Sequence, residues 1–151
     1  MPGQTNKGSY RMLDVYYRAA TAPANFYLLL ATAAAAPGPD TNVVSDLTEI
    51  ANGQGYTAGG QSVARNSTDF DVLTEDDAND RALIQLRDFA WTASGGNLPA
   101  SGNGARYSIL TDANATPANR EVINHWDMGA DRTVSDGQTM TLQNCEFRIN
   151  N

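Results

Sequence analysis

The last third of the chain sets the strongest limit on what it can fold into. From Ala105 it reads ARYSILT, EVINHWDM, RTVSDGQTMTLQ and EFRIN, short segments separated by turn chemistry. Segments this short, rich in Val, Ile, Thr and aromatic residues, are strands rather than helices. Asp136-Gly137, between Thr/Val-rich flanks, is a hairpin signal, because a two-residue loop needs positive φ at its centre. Val122, Trp126 and Met128 share one face of their segment, and Glu121, His125 and Asp127 share the other, with Ile123 out of place among them. Met140 and Leu142 keep one parity, whereas Cys145, Phe147 and Ile149 keep the opposite one. An odd shift turns a strand over, so a bulge or tight turn is expected near Asn144.

The earlier part supplies a helix and more strands. Residues 1–8, polar with Gly and Pro, read as a flexible N-terminal arm. A helix then starts at Ser9, whose hydroxyl can cap the first turn. Met12, Leu13, Tyr16, Tyr17 and Ala20 form one stripe, while Arg11, Asp14 and Arg18 look the other way at ion-pair spacing. Pro23 closes this segment, and Phe26–Leu30 reads as a fully buried strand. FYLLLATAAAAPGP superficially resembles a secretion signal. At about eleven apolar residues it is too short to span a bilayer, and it reads as a core strand running into an Ala-rich loop. The stretch RALIQLRDFAW has helical spacing at Leu83, Leu86 and Ala90 but alternates at Phe89 and Trp91, so its end is read as strand. SGGNLPASGNG, residues 94–104, reads as a long flexible loop. Together these features predict an antiparallel β-sandwich or jelly-roll-like fold with a short N-terminal helix, organised as a single β-rich domain over residues 9–151.

DLTEIANGQGYTAGG, residues 46–60, contains G-x-G-x-x-A at Gly53, Gly55 and Ala58, a form of the dinucleotide-binding fingerprint. Asp46 with Glu49 reads as a capping box opening a short helix that stops at Gly53. A cofactor cradle requires the opposite order of strand, glycine turn, then helix, because the helix N-terminus holds the pyrophosphate. The next stretch, QSVARNSTDFDVL, is strand-like, so Asp71 at the ribose-binding distance is a coincidence. No Gly-Lys-Ser/Thr is present to make a Walker loop. The glycines are expected to supply turns, and no cofactor is expected.

Composition narrows the function classes. The 151 residues include 10 Lys+Arg and 17 Asp+Glu, for a net charge of −7, and Lys7 is the only lysine. Nucleic-acid binding needs clustered cations to displace counterions, and no such cluster exists, so neither nucleic acid nor membrane is an expected partner. Cys145 is the only cysteine. It reads as a small core residue on a half-buried strand. His125 stands alone, without a second histidine for a metal site, and reads as a surface imidazole on the polar face beside Trp126. Asp76, Asp77, Asn79 and Asp80 lack the spacing of a calcium loop and read as a solvated turn. Asn66-Ser67-Thr68 and Asn114-Ala115-Thr116 match the glycosylation triplet by chance in a chain rich in Asn and Thr. No nucleophile motif is present. No catalytic, cofactor-binding or metal-ligating residue is therefore assigned.

In order along the chain, NFYLLLAT, DLTEIANGQGYTAGG, FAWTASGGN, RYSILTD, VINHWDMG and TVSDGQTMTL resemble the small virion structural proteins of tailed bacteriophages. The likeness covers roughly residues 9–149 and departs at APGPDTNVV and in the Asn/Thr-rich middle. It implies a non-enzymatic component of the particle: a capsid decoration or cement protein bound to the major capsid protein or to other virion proteins. A homo-oligomer on the outer surface of the virion, assembled in the host bacterial cytoplasm, is the expected state. The alternative is a tail or spike component that attaches to the host through the 94–104 loop, Tyr107 and Trp126. An enzyme acting on cell-wall sugars through its carboxylates is the third reading.

Overall fold

The computed structural model describes residues 2–150; Met1, at the head of the expected arm, and Asn151 lie outside the described residues. The elements in chain order are β1 (Pro2–Gln4), α1 (Asn6–Arg18), β2 (Asn25–Ala31), β3 (Gln61–Ala64), β4 (Val72–Asp76), β5 (Arg81–Leu86), β6 (Phe89–Thr92), β7 (Ala105–Thr111), β8 (Val122–Arg132), β9 (Thr139–Leu142) and β10 (Cys145–Asn150). Single turns of 3-10 helix at Val44–Asp46, Asp77–Asn79 and Pro117–Asn119 complete them. All strand pairings are antiparallel, giving the expected mainly β, sandwich-like fold with one N-terminal helix.

Three sheets are present: β1-β8-β7-β2-β3, β10-β5-β4 and β6-β9. The main core lies where one face of the five-stranded sheet (Leu28, Leu30, Val63, Leu110, Trp126) meets the inner faces of the smaller sheets (Leu86, Phe89, Trp91, Met140, Leu142, Cys145). Leu29, Ala31, Ile109 and Val122 pack on the reverse face around Val44. Because both faces of β2 are covered, its sequence is a continuous apolar run rather than an alternating one.

Parity explains two details. β9 ends at Leu142 and β10 begins at Cys145, and Asn144 between them adopts φ 55°, a left-handed kink at the point where the buried positions change parity. In β8 the register slips, Leu110 facing Asn124 but Thr111 facing Val122. This bulge turns Val122 to the reverse face while Trp126 stays in the main core, so the expected shared face of Val122 and Trp126 does not form. Ile123, at the bulge, is buried.

Other local expectations are corrected. RALIQLRDFAW contains no helix: it is β5 and the start of β6, with Arg87-Asp88 as the break between them. Asp136-Gly137 does make a turn, with Gln138 N–H donating to Ser135 C=O, but its flanks do not pair with each other. Val134 pairs with Leu98, and β9 pairs with β6. The 94–104 segment is accordingly tied down: Leu98 is fully buried, and Gly95 N–H donates to Asp136 Oδ1.

No α-helix forms between Asp46 and Gly53. Asp46 accepts from the Asn42 and Val43 amides, and Glu49 turns inward to accept from Tyr56 O–H and Gly59 N–H, both at 2.6 Å. Gly53 and Tyr56 exchange backbone hydrogen bonds around Gln54-Gly55, both at positive φ, the geometry of a tight two-residue reversal. A Cβ on Gly55 would collide with the Thr92 carbonyl. After Gly60 the chain enters β3, as expected.

Candidate interaction surface on the N-terminal helix

From Pro2 onward the segment expected to be a flexible arm is bound to the body. Pro2, Gly3 and Gln4 pair with Trp126, His125 and Asn124 of β8. Thr5, not Ser9, caps α1. Its Oγ1 accepts from Gly8 N–H at 2.9 Å and donates to Val122 C=O at 2.5 Å, while its own N–H donates to Ile123 C=O. A cap joined to a strand in this way fixes where the helix starts and how it lies.

The helix then sits on the body by its polar side. At Gly8 the backbone presses directly on β8, and a Cβ there would collide with the Ile123 carbonyl. One turn later Arg11 makes a two-pronged ion pair with Glu121, Nε–Oε2 at 2.5 Å and Nη2–Oε1 at 2.8 Å. Lys7 Nζ stands 3.8 Å from the same carboxylate. The Arg11 guanidinium holds the Glu121 carboxyl below the usual carboxylate range, and Glu121 raises Arg11 in turn. Ala19, in the left-handed region, ends the helix.

With the polar side down, the apolar stripe points outward. The stripe of Met12, Leu13, Tyr16 and Tyr17 therefore does not face the core, where an amphipathic helix ordinarily puts it. Tyr16 is 81% exposed, Tyr17 75%, Leu13 58%, Tyr10 49% and Met12 38%. Tyr16 and Tyr17 meet edge to face at 5.0 Å between centroids. Taking roughly 200 Å2 for a whole tyrosine, the five side chains present about 550 Å2. That is at the upper end for a patch on a monomer, roughly 300–600 Å2, and about two-thirds of one side of a standard interface, near 800 Å2. Among the described residues two further large apolar side chains are exposed, Leu73 on β4 and Ile149 on β10.

The residues that sequence reasoning considered for chemistry are placed elsewhere. Cys145 is buried in the main core, 4.0 Å from Ser108 Oγ, and burial pushes its thiol up. His125 is half-buried rather than a surface imidazole: Gly3 lies against its ring, its Nδ1 has no hydrogen-bond partner, and burial pushes its pKa down. Trp126 is buried, its Nε1 donating to Glu146 C=O at 2.7 Å, so it offers no host-binding contact. Asp76 is occupied within its hairpin by Asn79 and Arg81. Asn66 and Asn114 each accept from backbone amides just downstream. Among the described residues no three His, Cys, Asp or Glu side chains are grouped to hold a metal ion, and no helix is long and apolar enough to cross a membrane.

The buried polar arrangement around Gly59 is self-contained. Gly59 joins two charged groups, its N–H donating to Glu49 and its C=O accepting from Arg120 Nη1 at 2.6 Å. Arg120 also donates to Asn114 C=O and lies 3.5 Å over the Tyr27 ring. Every one of these groups is used in bracing the glycine-rich turn against its neighbours.

The tyrosine face is thus a feature that the sequence pattern alone does not place. Its stripe was visible, but its direction depends on Gly8, Thr5 and Glu121. Compared with known proteins, the chain matches no family model and no curated protein.

Proposed function

We propose that this protein is a non-enzymatic structural component of a tailed-bacteriophage particle, a decoration or cement protein that binds the major capsid protein on the outer face of the shell. The resemblance in segment order motivates the assignment to such particles. The observation that carries the structural role is the apolar, tyrosine-rich face of α1, held outward by a buried cap, a backbone contact and a two-pronged ion pair. An exposed apolar patch of this size on a rigid support is suited to protein–protein contact, and tyrosine is enriched at such contacts. A body stiffened by three sheets provides a fixed mount for that surface.

Electron microscopy of purified particles tests the reading. Density for this domain repeated over the shell supports it; a particle whose shell lacks it overturns it. Copy number by quantitative mass spectrometry gives the same answer independently, with hundreds of copies expected for a shell component.

A further inference from the structure

Among the described residues the seven exposed large apolar side chains fall in two places, and the two places are complementary. Five are on α1. The other two, Leu73 and Ile149, lie at the far end of the β4-β5-β10 sheet. Cross-strand pairing puts Leu73, Ile84 and Phe147 in one row and Glu75, Ala82 and Ile149 in the next. These rows lie on the side that faces the core further along the sheet, through Leu86 and Cys145. At this end the sheet runs past its covering layer and leaves an open groove of about 420 Å3. Ala82 and Ile149 form its apolar floor, and Glu75, Asp77 and Asp80, all exposed, line it. The one cation there, Arg81, is already paired with Asp76 at 2.7 Å.

α1 has the opposite character. It carries three of the ten basic residues of the chain and one of the seventeen acidic ones. Lys7 and Arg11 are held at Glu121, and Arg18, its side chain 75% exposed at the Tyr16–Tyr17 end, stands 3.9 Å from Asp14, so the three cations of this surface exceed its two carboxylates by one. We propose that copies of this chain associate head to tail, the Tyr16–Tyr17–Arg18 end of α1 on one copy seating in the Glu75–Asp77–Asp80 groove of the next. The occupant of the groove is a second copy because the same chain offers both halves, an aromatic cationic helix and an apolar-floored anionic groove. Pairing α1 with α1 about a twofold axis would leave both grooves open. For a chain of net charge −7, bringing its one basic helix onto its acidic rim also limits the repulsion between copies. Each copy keeps one free helix and one free groove, so the contact propagates, to a ring if the rotation closes and to a filament if it does not. This names a partner for the surface on which the proposed function rests, and leaves other faces for attachment to the shell.

The test uses recombinant full-length chain and two variants changed only at exposed positions. Tyr16→Glu/Tyr17→Glu removes the helix half, and Glu75→Lys/Asp77→Lys removes the groove half. In sedimentation over a concentration series the wild-type mass is expected to rise beyond the dimer, and each variant alone to weaken association at least tenfold. Mixed one to one, the variants are expected to form a heterodimer that grows no further, because one intact helix and one intact groove remain. Circular dichroism and melting curves confirm that both variants fold. A wild-type chain that stays monomeric into the millimolar range overturns the inference, as does a groove variant that assembles like wild type, or a mixture that yields no heterodimer. None of these readouts involves a particle, so self-association without incorporation into the shell refutes only the proposed function, and incorporation by a chain that does not self-associate refutes only this inference.

Discussion

Gly8 carries more of this structure than its size suggests, because it is where helix and sheet touch backbone to backbone. In Gly8→Ala the new methyl meets the Ile123 carbonyl oxygen, which has no rotamer to escape into. Overpacking of this kind costs about 1–3 kcal/mol, more than the ~1 kcal/mol that alanine gains in helix propensity. Urea denaturation is expected to show Gly8→Ala less stable by about 2 kcal/mol, while Gly38→Ala, with open space around it, stays within about 0.5 kcal/mol. His125 gives a pH signature. Burial holds its pKa in the folded protein below the ordinary 6.5, so between those two values the unfolded chain binds more protons. Its contribution is fully present above the unfolded pKa and is lost as pH falls below it. Melting curves from pH 8 downward are expected to show a decline beginning near 6.5, absent in His125→Gln. Cys145 is expected to resist thiol reagents in the folded protein and to react on unfolding, since it is buried and its thiol is pushed up.

At the scale of elements, the hold of α1 on β8 is the arrangement most open to measurement. Arg11 and Glu121 are partly solvated, so a double-mutant cycle is expected to give a coupling of about 1 kcal/mol, the upper end for surface pairs, because the contact is two-pronged. Glu121 has a depressed pKa in the folded state. Its contribution is therefore present above the unfolded carboxylate value and lost as pH falls through the folded one. Hydrogen exchange on Arg11→Ala is expected to speed at residues 6–18 and to leave β2 and β7 unchanged; uniform loss of protection would mean that the helix is integral to the global fold. β9 and the start of β10 were legible because period-two alternation and turn residues are local properties, and the parity change across Asn144 was legible for the same reason. The direction of α1 was not. A stripe at residues 12, 13, 16 and 17 is the same pattern whether it faces a core or solvent, and the deciding contacts come from Ile123 and Glu121, over a hundred residues away. Val122 and Trp126 went to opposite faces because a bulge inserts one residue, which alternation alone does not register. Asp46 and Glu49 had capping-box spacing, but the Asp46 carboxylate accepts from the Asn42 and Val43 amides just upstream, and Glu49 accepts from Tyr56 and Gly59 across the glycine-rich turn.

For the whole molecule, the two cores make different demands on neighbouring residues. Leu29 and Leu30 point to opposite faces of one strand and both are fully buried. Truncating either to alanine is expected to cost about 2–5 kcal/mol, whereas Leu73→Ala, 77% exposed, should fall within about 0.5 kcal/mol. Equal tolerance at Leu29 would mean that the reverse face is open. The same contrast between covered and uncovered apolar surface underlies the proposed role, since the molecule has room in its cores for leucines and tryptophans yet leaves its helix tyrosines outside. Hydroxyl-radical footprinting, at a dilution where sedimentation shows a single copy, measures that arrangement directly. Tyr10, Tyr16 and Tyr17 are expected to be oxidised readily, while Tyr56, Trp91 and Trp126 are protected until the chain unfolds. Protection of Tyr16 and Tyr17 in the single copy would place the helix the other way up and contradict the assembly surface.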